Sequence, residues 1–230
     1  MKKIISVIIP VLHEQEIISH TLKALSVLPL YHLVEVIVVD GDPEGGTLKA
    51  IVDPSVIKIL GPRGRGAQMN EGARHGKGEL LLFLHGDTVL PNTAFEDILR
   101  IRNKVNVACS AFDLAISARG SAFRIIEKTA SLRSRITGIP YGDQAFCIKR
   151  NWFALAGGFK LYPVMEDVEL IRNLKRKGGK LLIFSSTVQT SARRWKREGL
   201  VFCTLRNWMI LVLYFLGMNP DKLKRFYYTF

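Results

Sequence analysis

The chain has no apolar run long enough to cross a bilayer. Its one extended hydrophobic stretch, Leu200–Met218, is interrupted by Thr204, Arg206 and Asn207. The uninterrupted part, Trp208–Met218, falls short of the roughly 20 residues that a spanning helix needs. Cysteine is scarce. Cys109, Cys147 and Cys203 lie far apart without metal-ligand spacing, which argues for buried or free thiols in a reducing compartment. No small-residue cleavage site follows Met1-Lys2-Lys3 and Ile4–Leu12, and His13-Glu14 come next, so a first strand is expected there rather than a signal peptide. Repeats and low-complexity tracts are absent. Acidic residues are outnumbered, 20 against 33 Lys and Arg in 230 residues, giving a formal charge of +13. That excess is not confined to a tail. It implies an anionic partner: nucleotide phosphates, anionic lipid or nucleic acid. A nucleic-acid reader would interleave basic residues with exposed aromatics or carry a docking motif, and neither stands out.

What the chain does have is a recurring punctuation. Residues 80–88 read Leu-Leu-Leu-Phe-Leu-His-Gly-Asp-Thr, an apolar run that stops at His85 and Asp87. Ile4–Ile9 is ended by Pro10 and followed by His13-Glu14; Val34–Val39 is ended by Asp40-Gly41-Asp42. Short continuous Val/Ile/Leu runs suggest strands covered on both faces, hence a parallel sheet. Between the first two, Ile17, Ile18, Leu22, Leu25 and Leu28 fit one face of a helix over Glu14–Leu28. Strand, helix, strand is a crossover unit. In such an α/β sheet the polar residues after each strand gather at the carboxyl edge, where ligands bind. Two readings of Asp87 stay open on this ground alone: a metal and phosphate ligand, or a turn residue before the helix that starts near Pro91.

Further along, Gly61-Pro62-Arg63-Gly64-Arg65-Gly66 follows a strand at Val56–Leu60 and opens a helix over Ala67–Arg74. Such a loop can hold phosphate through backbone N–H groups and guanidinium forks, or can simply turn the chain. Gln68 and Asn70 behind it are expected to face solvent. Ser121–Ile136 reads as a basic helix, and Tyr141-Gly142-Asp143-Gln144 leads into a strand at Ala145–Ile148. Glu166 and Asp167 open a helix reaching about Lys177, where acidic residues suit the helix dipole without any catalytic role. Leu200–Met218 lies between Arg193, Arg194, Lys196 and Arg197 and the later Lys222, Lys224 and Arg225. That pattern fits a helix on an anionic membrane surface or, equally, a core or homodimer helix with solvated flanks.

Taken in order, these motifs resemble the family 2 glycosyltransferases with the GT-A fold, over roughly residues 4–198. The resemblance rests on Ser6–Pro10 with Glu14, Val38-Val39-Asp40-Gly41, Gly64-Arg65-Gly66 with Asn70, His85-Gly86-Asp87, Gly157-Gly158-Phe159 with Glu166-Asp167, and Thr190-Ser191-Ala192-Arg193-Arg194-Trp195. It implies a single α/β domain over 1–198, a mostly parallel Rossmann-type sheet flanked by helices. Residues 199–230 then form a C-terminal apolar and basic helical appendage.

The resemblance also implies an inverting transfer of a sugar from a nucleotide diphosphate donor to a hydroxyl acceptor. Pro10, Glu14, Asp40, Gly41, Arg65, Asn70, Gly86 and Asp87 match the donor side. Asp167, with Glu166, matches the catalytic base. Asp143, Gln144, Arg194 and Trp195 match an acceptor or lid element. Asp87 matches the last acid of the Asp-x-Asp metal motif, implying magnesium or manganese. His85 replaces the first acid of that motif; it either joins the metal site or only ends the strand. The setting implied is the cytoplasm, with a peripheral place on the membrane's inner face if the appendage touches lipid. Two alternatives are a sugar-phosphate nucleotidyltransferase and a non-catalytic basic membrane module. Against the first, Pro10–Glu16 holds no glycine.

Overall fold

The computed structural model describes residues 2–228, leaving aside the side chain of Tyr228. Eight strands form one sheet: β1 (Ile5–Val11), β2 (Val34–Asp40), β3 (Ile57–Leu60), β4 (Leu80–Phe83), β5 (Thr88–Val89), β6 (Val107–Ser117), β7 (Cys147–Lys149) and β8 (Lys180–Ser191). Their order is β3-β2-β1-β4-β7-β6-β8-β5. The β3-β2-β1-β4 half is wholly parallel, β6 runs parallel to β8, and the pairs β4·β7, β7·β6 and β5·β8 are antiparallel. The expected mostly parallel α/β sheet is therefore present, with two reversed strands: β7, which splices its two parallel parts, and β5 at the edge.

Both faces are covered, as the unalternating apolar runs require. Ile5, Val7 and Ile9 of β1 pack on one face with Ile18, Leu22 and Leu25 of helix α1 (Ile18–Ser26). Phe95 and Ile98 of α4 (Ala94–Leu99) join that layer; α2 (Gly46–Lys49) is a single turn after β2. Ile8, Ile37 and Leu81 point to the other face, against Met69 and Ala73 of α3 (Arg65–His75). This second layer continues through Ala156 of α6 (Arg150–Ala156) and Leu170, Ile171 and Leu174 of α7 (Glu166–Arg176), with α5 (Ser121–Thr137) leading from β6 back to β7.

Three expectations need correction. The first helix begins at Ile18 rather than Glu14, because the Glu14 carbonyl accepts from the N–H groups of Ile17 and Ile18 and its own N–H donates to Thr47 Oγ1. Pro10 does not end β1, which runs on to Val11. The β1·β4 ladder stops at Ile8↔Phe83, while the Val11 carbonyl accepts from Gly41 N on the β2 side. The donor that proline lacks thus falls where the β4 ladder has already ended. Gln68 is buried, not solvated: its Nε2 donates to the carbonyls of Val11 and Val39.

The chain closes with α8 (Arg193–Glu198), α9 (Leu200–Phe215) and α10 (Pro220–Tyr228). Ile210, Tyr214 and Leu223 pack on Val164 and Val168, which seats the C-terminal helices on the start of α7. Among the described residues, no helix is long and apolar enough to cross a membrane. The three cysteines are free and buried, as expected.

Candidate active site

The polar residues that follow the strands do meet at one edge of the sheet. Strands β1, β2, β4, β6 and β8 all end there, and reversed β7 begins there, so His85-Gly86-Asp87, Gly142-Asp143 and Arg193-Arg194 converge. A cavity of about 210 Å³ is lined by Arg65, His85, Asp87, Asp143, Asp167, Arg194 and Trp195, all expected site residues. A second hollow of about 600 Å³ adjoins it, sharing Asp87, Ser191, Arg194 and Tyr227 and adding Glu14 and Arg193.

Asp167 sits in the first turn of α7. One carboxylate oxygen accepts from its neighbour Val168 N at 2.7 Å, the other from Gly142 N at 2.7 Å. A Cβ on Gly142 would come within 3.0 Å of His85 Nε2 and 3.2 Å of Asp167 Oδ2, so glycine lets these two groups close around the backbone. Burial, with help from Arg65, lowers the His85 pKa to about 3, leaving a neutral imidazole. Glu166, next to Asp167, is turned inward. It is 1 % exposed and paired with Arg65 at 2.8 Å. Burial raises its carboxyl, Arg65 opposes that shift and Asp167 adds to it. Glu166 thus anchors Arg65 and does not line the 210 Å³ cavity.

Asp143 is pushed up to about 6, by burial first; Arg133 opposes the shift and Asp167 adds to it. Arg133 itself lies over the Tyr141 ring at 3.4 Å, and burial lifts the Tyr141 phenol to about 12. Across the cavity, Arg194 stacks on Tyr227 at 4.0 Å and donates to its hydroxyl. Three of the four described non-glycine residues with positive φ, His13, Ala145 and Met165, directly adjoin Glu14, Gln144 and Glu166. Such backbone costs about 1–3 kcal/mol each and persists where the surroundings hold it.

Several expected site residues lie outside these cavities. Asp40 is fully buried, its two oxygens accepting from Asp42 N and Thr47 N, so it shapes the loop after β2. Gly41 packs against Gln68, and Pro10 is buried within β1. Asn70 exchanges two hydrogen bonds with the backbone of Phe159 and so ties α3 to the Gly157-Gly158 turn. Gln144 is buried, bonded to Ser134 Oγ, Tyr141 N and the Phe112 carbonyl. Gly86 is buried beside Glu14, where a Cβ would lie 2.8 Å from Glu14 Oε2.

Conversely, Tyr141, Arg193, Asn207 and Tyr227 line these cavities without being among the expected site residues, and Arg133 backs them by lying over the Tyr141 ring. Arg193 had a signal, standing next to Arg194-Trp195 in a basic cluster. Tyr227 had none.

The fit to a divalent cation rests on two carboxylates. Asp87 and Glu14 face each other closely enough that burial and Asp87 together raise the Glu14 carboxyl. Glu14 Oε2 is buried without a hydrogen-bond partner. Arg193 lies 3.3 Å from Asp87 and 3.9 Å from Glu14. No group of three or more potential metal ligands occurs among the described residues. The acids therefore suit a cation completed by substrate phosphates rather than an all-protein cage.

Comparison with known proteins agrees with this geometry. No curated protein matches the chain significantly. Among solved structures, a mannosyltransferase from Pyrobaculum calidifontis in complex with GDP-Man and Mn2+ superposes with a TM-score of 0.71 at 17 % identity, covering 98 % of this chain and 68 % of that one. S. aureus TarS (residues 1–349) in complex with UDP superposes at 0.63 and 17 % identity over 83 % of this chain; only 60 % of the TarS chain is covered. The same TarS fragment with UDP-GlcNAc gives 0.63 at 16 % identity. These likenesses establish the GT-A type of sheet. The family model "Glycosyl transferase family 2" matches residues 6–165, from β1 to the threshold of α7. The chain belongs to glycosyl transferase family 2.

Proposed function

We propose that the chain transfers a glycosyl group from a nucleotide diphosphate sugar to a hydroxyl acceptor, in one displacement that inverts the anomeric carbon. The observation that carries this reading is that Asp87 and Asp167, 80 residues apart in sequence, line one cavity together with Arg65 and Arg194. Solved structures of the same fold bind GDP-Man with Mn2+ and UDP-GlcNAc, which supports a donor of this class.

The division of labour follows from charge. As the bond between the anomeric carbon and the diphosphate oxygen breaks, its electron pair goes to that oxygen. Arg65, Arg193 and Arg194 are the cations at hand to stabilise the growing charge. On the opposite face, the acceptor hydroxyl attacks and gives its proton to Asp167. The two backbone N–H groups on Asp167 fix the aim of its carboxylate. Asp143 stands beside it as a second acceptor-side carboxyl. Neutral His85 neither repels the cations nor competes for the proton. Magnesium or manganese, held by Asp87 with Glu14 behind it, would supply further charge neutralisation at the diphosphate.

Calorimetric titration with GDP and UDP, with and without manganese, tests the donor site. NMR of the product tests the stereochemistry. Binding of neither nucleotide, or a product that keeps the donor's anomeric configuration, would refute the proposal.

A further inference from the structure

Helix α9 presents two apolar faces, and the protein covers only one. Cys203, Ile210 and Tyr214 point inward and are buried. On the other side stand Val201, Leu205, Trp208, Val212, Phe215 and, just beyond the helix end, Leu216, each 49–78 % exposed. Their spacing of 4, 3, 4, 3 and 1 residues places all six on one stripe of the helix. A soluble surface rarely leaves so many large apolar side chains contiguous without an occupant.

The setting of the stripe says what occupies it. From Arg193 to Tyr228 the sequence holds eight basic residues and two acidic ones. The only charged residue of α9, Arg206, is buried and paired with Glu198. Lys196 and Arg197 before the stripe, and Lys222, Lys224 and Arg225 after it, are exposed. The neighbouring helix α5 adds exposed Ile125, Leu132 and Ile136 among Arg124, Lys128 and Arg135. It faces α9 across a cleft of about 60 Å³, lined by Ile126, Arg133, Trp195 and Trp208 among others. An apolar stripe that carries no acid and is framed by exposed cations, with Asp221 the single exposed acid among five of them, matches a bilayer whose headgroups are anionic.

We propose that the exposed face of α9 docks this protein on an anionic lipid bilayer, lying in the plane of the interface without crossing it. The cleft beside the stripe shares Tyr141, Asp143, Trp195 and Asn207 with the active-site cavity, so the docked face stands next to the acceptor side. The docking does not depend on which sugar chemistry that cavity performs.

The test is co-sedimentation of the full chain with vesicles made of equal parts phosphatidylglycerol and phosphatidylcholine, against vesicles of phosphatidylcholine alone. Partition onto the anionic vesicles is expected to exceed that onto the zwitterionic ones by more than about tenfold, and to fall as salt is raised. The triple variant Val201→Gln, Leu205→Gln, Val212→Gln should lose more than about tenfold of the binding with its circular dichroism melt unchanged. If that variant fails to fold, the double variant Lys222→Glu, Lys224→Glu should show the same loss. Equal partition onto both vesicle types, or none, overturns the proposal. So does a wild-type dimer in sedimentation equilibrium that leaves no protein on vesicles and becomes monomeric in the triple variant.

Discussion

Two sets of polar side chains are used in opposite ways. In the parallel half, β3-β2-β1-β4, one set is structural, while Glu14, Arg65, His85 and Asp87 of the same half line the cavities. Asp40 and Gln68 are buried and bonded to the backbone of neighbouring loops and strands, and Asn70 is bonded to the turn at Phe159. In the half built from β7, β6 and β8, such side chains face space: Asp143, Asp167, Arg194 and Trp195 line the cavity. One set is a frame, and the other carries the groups that can still exchange partners. A buried carboxylate with its oxygens engaged resists change, whereas a half-buried one with unmatched charge is ready for a proton or a substrate.

Substitution tests that contrast directly. The largest effect belongs to the open set: Asp167→Asn should lower turnover by about a thousandfold, within the range of a lost general base, while the melting temperature stays near wild type. Steady-state kinetics beside a thermal melt decides it, and a variant that keeps near-normal turnover would break the comparison. Next, Asp40→Ala in the framing set should cost about 3 kcal/mol of stability, since two backbone N–H groups lose a carboxylate acceptor; urea denaturation reads this. A small loss there, under about 1 kcal/mol, would mean Asp40 is not part of the frame.

The smallest effect is the pH dependence at Asp143. Its folded pKa, about 6, lies above the 3.8 of an ordinary aspartate, so the folded state holds the proton more tightly than the unfolded chain. Its stabilising contribution is complete below pH 3.8 and is lost as pH rises through about 6. Asp143→Asn should therefore gain in relative stability between pH 4 and pH 7, measured by melts across that range. A difference between variant and wild type that stays flat with pH would put the Asp143 carboxyl in a less buried setting than its surroundings imply.

The frame was legible in the sequence because its signal is local. Apolar runs such as Val34–Val39 and Leu80–Leu84 give both the strand and the edge at which Asp40 and Asp87 emerge. The inward turn of Gln68 was not legible, since a polar residue on a short helix carries no mark of which carbonyls it will meet. Nor was Tyr227. It reaches Arg194 only because α9 and α10 fold back on the start of α7, and sequence spacing holds no trace of that packing. Asp167 and Asp143 were found by resemblance to a family pattern. The glycine between them in space, Gly142, explains their arrangement only once His85 is seen against it.

Strand β5 is two residues long, yet it joins distant parts of the chain. Thr88 pairs with Thr190 and Val89 with Gln189. Asp87 comes immediately before the first pair, and Arg193 follows three positions after Thr190. Two rungs therefore fasten an acid and a base that the chain separates by 106 residues. Whatever pulls on either end therefore loads the same two-rung clasp that sets the pair side by side.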